Sequence, residues 1–165
     1  RDADGYNVSD GKTRSSGIET DLAFHPNDIH TLALVATYAR HRYDFTRDAS
    51  RGETIISGND VDTAPRWLAS AHWRARFTER ATSEFELSHI GSHFINAANT
   101  AKYSGHTLLN WRGNYELSNN VRLFARIINL LDKEYADRAD YAFGSYRYFP
   151  GLPRQFYVGA EVEVN

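Results

Sequence analysis

Cysteine and methionine are both absent from the 165 residues. Without thiols there is no disulfide, no thiolate nucleophile and no cysteine-ligated zinc. Lysine is scarce, 3 residues against 16 arginines. Arginine holds its charge and makes forked hydrogen bonds in partly dry surroundings, so this bias suits charges kept in poor contact with water. Neither sign of charge dominates: 19 basic and 21 acidic side chains leave a net charge of -2. That balance removes the electrostatic case for nucleic acid. Long apolar runs are missing too, the longest aliphatic stretch being Leu32 to Ala36. A spanning helix needs ~20 apolar residues, so a helical membrane protein is excluded. A membrane β-barrel is not, because half of each strand faces water or protein and average hydropathy hides it. The absent methionine and the polar opening, Arg1 to Gly11 with no secretory leader, predict a piece of a longer protein.

What the chain has in abundance is alternation with period two. In Pro65 to Thr78, Trp67, Ala69, Ala71, Trp73, Ala75 and Phe77 share one face, and Ser70, His72, Arg74 and Arg76 share the other. His106 to Leu117 sets Leu109, Trp111, Tyr115 and Leu117 against Asn110, Arg112, Asn114 and Glu116. Val121 to Asn129 sets Leu123, Ala125 and Ile127 against Arg122 and Arg126. Gln155 to Val164 sets Phe156, Val158, Ala160 and Val162 against Tyr157, Glu161 and Glu163. Lys12 to Phe24 sets Ile18, Leu22 and Phe24 against Glu19 and Asp21. His30 to Phe45 and Ser83 to Ile95 are less clean, the second blurring after Ser88. The pattern predicts seven strands of roughly 9–16 residues, against ~5–6 for typical globular strands and ~9–11 for tilted membrane strands. No helix is expected.

The connections alternate in length. His25 to Ile29, Glu79 to Thr82 and Ser118 to Asn120 are short, while Thr46 to Ala64, Asn96 to Gly105 and Leu130 to Arg154 are long. Sorting of this kind is the habit of outer-membrane barrels, with periplasmic turns at one end and mobile extracellular loops at the other. A soluble sandwich has no reason for it. Aromatics flank the apolar faces: Phe24, Phe77, Phe85 and Tyr115 near the short turns, Trp67 near the opposite rim. They match interfacial girdles.

Three blocks carry a resemblance. Arg122 to Ala136 contains Asn129-Leu130-Leu-Asp132-Lys133-Glu-Tyr135, and Tyr148 to Gly159 contains Pro150-Gly151-Leu-Pro153-Arg154 before the last strand. Near the start, Gly17-Ile-Glu19 follows Tyr6-Asn7 and the cations Lys12 and Arg14. Together the blocks resemble the late barrel segments of TonB-dependent outer-membrane receptors. The resemblance implies an all-β fold, a segment of an antiparallel transmembrane β-barrel comprising the last seven strands of a 22-stranded plugged barrel. Residues 1–165 would form the C-terminal portion, with the N-terminal plug and earlier strands supplied outside this chain. It implies a bacterial outer-membrane location and TonB-energised uptake of a scarce ligand, a ferric siderophore or similar metal chelate being the commonest choice. The implied partners are the TonB complex through the plug, outer-membrane lipid and lipopolysaccharide, the ligand and the remaining barrel strands. The family ends on an aromatic residue, whereas this chain ends at Asn165. The alternative is a passive porin, which would lack the Asn129–Tyr135 and Pro150–Arg154 blocks.

No catalytic residue, metal site or cofactor is expected. No serine sits in a Gly-x-Ser-x-Gly elbow, and Ser88 and His89 are neighbours that a strand turns to opposite faces. His89 and His93 would be ~13 Å apart on a strand, too far for one ion. Ligand capture is assigned instead to Tyr141, Tyr146, Arg147 and Tyr148 in the final long loop, with Arg147 meeting negative charge, and to His41 near an outer strand end. Self-packing of that loop is the competing account.

Overall fold

A computed structural model describes residues 4, 6, 11–49 and 52–164. Asn7 of the Gly17–Glu19 block and the terminal Asn165 lie outside them. The alternating segments become β1 (Thr13–Phe24), β2 (His30–Tyr43), β5 (Trp67–Thr78), β6 (Ala81–Ile90), β9 (His106–Ser118), β10 (Val121–Ile128) and β13 (Gln155–Val162). They form one seven-stranded sheet in the order β1-β2-β5-β6-β9-β10-β13, every neighbouring pair antiparallel. Neighbours in sequence are neighbours in space, so no connection crosses the sheet. No α-helix occurs among the described residues. The strand bounds shift slightly from expectation. The largest change is at β6, which stops at Ile90 rather than Ile95, because Gly91 and Ser92 break the sheet just where the alternation blurs.

Register converts the period-two pattern into two surfaces. Directly opposed residues share a face, and one row runs across all seven strands: Phe24, Leu32, Trp73, Phe85, Trp111, Ile127 and Phe156. Within it Trp73 and Phe85 stack with ring centroids 5.8 Å apart and planes 14° from parallel. The next row toward the long connections reads Leu22, Leu34, Ala71, Leu87 and Leu109. This face is apolar and solvent-accessible, with Leu22, Leu34, Trp73, Leu123, Val158 and Val162 all exposed. An exposed apolar sheet face of this extent belongs against lipid.

The other face is polar. Its matching row is Thr31, Arg74, Glu84, Arg112, Arg126 and Tyr157. Glu84 is 5% exposed. It accepts from Arg74 Nε at 2.9 Å and from Arg112, and His72 Nδ1 lies 3.1 Å away. Arg122 bonds Glu161 across the β10–β13 pair. Cross-strand arginine–carboxylate pairs are therefore present on the face opposite the apolar one. Asp21, opposite Val35, and Arg76, opposite Thr82, lie on this face as well.

Connections at one end are short: residues 25–29, 79–80 and 119–120. At the other end the three long connections are not plain loops. Each folds its own two-stranded hairpin: β3 (Arg47–Ala49) with β4 (Glu53–Ile55), β7 (His93–Phe94) with β8 (Lys102–Tyr103), and β11 (Ala136–Ala142) with β12 (Ser145–Pro150). The second and third share a small core of Ile95, Ala101, Ala136 and Ala139, flanked by Tyr103 and Tyr141. The sequence pattern gives no sign of these hairpins. The hairpins are short, bulged or irregular, and too weakly periodic to stand out.

Replacing Trp73 with arginine places a guanidinium in the apolar row between Leu32 and Phe85. The expected cost is ~2–4 kcal/mol in a bilayer-embedded barrel, against under ~1 kcal/mol for Arg76→Ala on the polar face. Urea unfolding in lipid vesicles measures both.

Candidate ligand site at the long-loop end

Two of the sequence blocks meet at the base of the third hairpin. Asn129 follows β10 with φ 53° and is fully buried. Asparagine tolerates that left-handed conformation better than most residues. Its backbone N–H donates to Asn110 Oδ1 at 2.9 Å. Its side-chain Nδ2 donates to the carbonyls of Lys133 and Leu152 at 2.9 and 3.1 Å, and its Oδ1 accepts from Lys133 N–H at 2.9 Å. One amide thus ties the start of the long connection to its end. Asp132, φ 53°, accepts the Arg154 N–H at 2.9 Å, and Arg154 Nη1 donates to the Leu130 carbonyl at 3.3 Å. Gly151 N–H donates to the Tyr135 carbonyl at 2.9 Å. A Cβ on Gly151 would overlap the Tyr135 ring, so only glycine fits. Pro150 ends β12, and Pro153 precedes the Arg154 clasp, so the chain enters β13 in a set register. Asn129, Leu130, Asp132, Lys133, Tyr135, Pro150, Gly151, Pro153 and Arg154 are therefore joined in one knot rather than spread over two blocks.

The Gly17–Glu19 block has a different role. Gly17 faces Ala39 across β1–β2, and a Cβ there would lie 2.6 Å from the Tyr38 carbonyl oxygen. The two backbones approach too closely for any side chain. Glu19, two residues on, is exposed on the polar face opposite Thr37.

Above this frame the three hairpins close on one another. Asp60 and Asn99 exchange two hydrogen bonds of 2.8 Å, joining the first connection to the second. Ala97 N–H donates to Glu53 Oε2 at 3.2 Å and Thr63 N–H to the Phe94 carbonyl at 2.8 Å. The second connection meets the third through Tyr141 N–H to the Ile95 carbonyl at 3.2 Å, and through the Tyr103 hydroxyl, which accepts from Ala136 N–H at 3.1 Å. Between them lies an open pocket of about 620 Å³. Tyr43, Glu53 and Asp62 line one side, Ile95 and Asn96 another, and Arg138, Asp140, Tyr141 and Arg147 the third. The Tyr43 hydroxyl donates to Asp62 Oδ1 at 2.5 Å. Volume and mixed polarity suit a small ligand rather than a macromolecule.

The expected capture residues divide. Tyr141 and Arg147 line this pocket. Tyr146 and Tyr148 do not: they stack on each other at 6.1 Å and remain about half exposed. His41 is also off the wall, on the polar face of β2 with Nδ1 2.8 Å from Ser15 Oγ. Arg147 also has a partner within its own hairpin. Its Nε and Nη2 donate to the two oxygens of Asp140 at 2.5 and 2.9 Å, across the β11–β12 pair. Asp140 Oδ2 also accepts from Arg138 Nη2 at 3.3 Å, so two guanidinium groups share this one carboxylate on the pocket wall. The sequence reading missed Tyr43, Glu53 and Asp62. Their chain positions carry no motif, and only the folding of the first connection over the pocket reveals them. His89 and His93 are engaged separately, by Thr107 Oγ1 at 2.8 Å and the Gly91 carbonyl at 3.1 Å. Among the described residues no cluster of three or more histidines and carboxylates suits a metal ion.

An antiparallel sheet with one lipid face, one charged face, short turns at one end and folded loops at the other defines the class: a segment of an outer-membrane β-barrel. The family follows from comparison. Residues 2–130 match the model described as TonB dependent receptor-like, beta-barrel. The chain belongs to the TonB-dependent receptor β-barrel family. The match stops before the Pro150–Arg154 block, which lies beyond it. The metal-pseudopaline receptor CntO of Pseudomonas aeruginosa is 24% identical over 155 residues, 91% of this chain and 21% of that protein. The vitamin B12 transporter BtuB of Photobacterium profundum is 28% identical over 100 residues, 60% of this chain and 16% of that protein. The ferric yersiniabactin uptake receptor FyuA of Yersinia pestis superposes with a TM-score of 0.77 at 14% identity, covering 92% of this chain and 24% of that one. At that identity the likeness speaks for the fold alone. The chain spans about a fifth of the curated relatives it matches. Those relatives are transport receptors, not enzymes.

Asn129→Ala leaves the Lys133 N–H and the Lys133 and Leu152 carbonyls without this partner and puts alanine in the left-handed region. The expected loss is ~2–4 kcal/mol, with Asp132→Ala, at an exposed position, costing ~1 kcal/mol. Denaturant midpoints of the folded barrel check the ranking.

Proposed function

We propose that this chain supplies the last seven strands and three extracellular loops of a 22-stranded plugged barrel. That receptor takes up a scarce ligand too large for porins, using energy delivered by TonB to the plug. The ligand class is a ferric siderophore or similar metal chelate. The observation that carries the reading is the pocket of about 620 Å³ built by all three long connections at one end of the sheet. A porin needs a short constriction and open passage, whereas a folded tier of loops around a pocket serves capture. The names of CntO and BtuB, a metal-pseudopaline receptor and a vitamin B12 transporter, support the same class. The edges of β1 and β13 carry no partner within the described residues, and unpaired edges are not tolerated in lipid. The remaining strands close the barrel there.

In this reading Tyr141 offers a ring face to the ligand, and Arg138 and Arg147, both held in place by Asp140, present their guanidinium groups to it. Tyr141→Ala combined with Arg147→Ala is expected to weaken binding of the transported chelate at least ~10-fold, as two or more contacts of ordinary strength are lost. Tyr148→Ala alone should leave affinity within ~2-fold. A panel of radiolabelled ferric siderophores and cobalamin on intact cells identifies the ligand and measures both variants. A protonophore should abolish accumulation while leaving surface binding intact. Unchanged affinity in the double variant moves the site to the plug or to other strands.

A further inference from the structure

The walls of the pocket carry opposite charge, and each sign comes from one chain segment. The first connection contributes Glu53 and Asp62, and the third contributes Arg138 and Arg147. The second brings only the uncharged Ile95, Asn96 and Ala97. On the third wall Arg138 and Arg147 share Asp140, two cations to one carboxylate.

On the first wall the carboxylates have no such match. Glu53 Oε2 accepts a backbone N–H, from Ala97 at 3.2 Å, and Asp62 Oδ1 accepts the neutral Tyr43 hydroxyl. Among the described residues neither pairs with a cation. Arg47 shares a hairpin face with Glu53, since Arg47 pairs with Ile55 and Ala49 with Glu53. Its guanidinium lies over the Phe45 ring instead, 5.2 Å from the centroid. Asp60, two residues before Asp62, is by contrast held by Arg66 at 2.6 Å. Uncharged donors fix the position of a carboxylate and leave its charge in place. A ligand filling the pocket strips water from both acids, and a desolvated charge without a partner is costly. A ligand that is anionic throughout meets that cost and like-charge repulsion as well, whereas one with a cation at this wall offsets both.

Resting on the chelate-receptor reading above, we infer that the ligand is a dipolar aminocarboxylate chelate. Its protonated amine is taken by Glu53 and Asp62, and its carboxylate by Arg138 and Arg147. The two unmatched acids select against chelates that carry negative charge alone, such as a ferric tris-catecholate.

The test is titration calorimetry on the full-length receptor in phosphatidylcholine nanodiscs. Two probes are substitution-inert cobalt(III) aminopolycarboxylates, one with a free primary alkylamine and one with that amine acetylated. Ferric tris-catecholate is the third. The amine form should bind at least ~10-fold more tightly than the acetylated form, the worth of one charge-assisted hydrogen bond. Glu53→Gln with Asp62→Asn keeps an acceptor oxygen for the Ala97 N–H and for the Tyr43 hydroxyl, and removes only charge. This double variant should bring the ratio to within ~2-fold by weakening the amine form alone. A purely structural role would weaken both forms alike. Glu53→Gln by itself should lower the ratio about threefold, half the effect on a logarithmic scale, and serves if the double variant does not fold. Equal binding of the two cobalt chelates, an unchanged ratio in the variants, or parallel loss of both forms overturns the inference. Binding of the tris-catecholate alone also overturns it and leaves the chelate-receptor reading standing. Binding of none of the three overturns it too, and the labelled panel on intact cells then decides the fate of that reading separately.

Discussion

Every backbone polar group inside a bilayer must find its partner within the protein, and a sheet that meets this demand leaves its side chains strictly alternating between two faces. Everything else in this chain depends on that constraint. The row from Phe24 to Phe156 is apolar across all seven strands because each strand is locked by its neighbours. A slip of one residue in any pair would put arginines such as Arg74 or Arg112 into lipid. The abundance of arginine then has a place: on the polar face it pairs with the buried Glu84 and with Glu161.

The same lock positions the function. Strands of eight to fourteen residues hold three hairpins at one end of the sheet. Those hairpins have little core of their own, four buried side chains in the cluster that the second and third share. Their order comes from anchoring at the base, where the buried Asn129 side chain joins both ends of the longest connection. That anchored base carries the polar pocket above it.

The outer surface is uniform in the middle and differentiated at its rims. Girdle aromatics end the apolar band, and on β1–β2 a basic patch follows immediately beyond. The protein therefore presents two distinct chemistries to the outside. One is a pocket of mixed charge among the loops, and the other a row of arginines, Arg14, Arg40 and Arg42, in register beyond the girdle aromatics.

Seven strands and their lipid and polar faces were legible in the residues alone, because period two survives any tertiary context and one face must match lipid. The Asn129–Lys133 and Pro150–Arg154 blocks were legible as motifs, since the left-handed turns and the glycine under Tyr135 admit few residue types. That the two blocks clasp each other was not, for they are separated by a hairpin whose short, bulged strands carry no clear period. Nor could the sequence say that Arg147 is matched by Asp140, or that Tyr43, Glu53 and Asp62 join Tyr141 around one pocket. The pairing depends on the register of a hairpin, and the pocket on contacts between chain segments tens of residues apart. Both are set by how the hairpins form and pack, which local pattern does not encode.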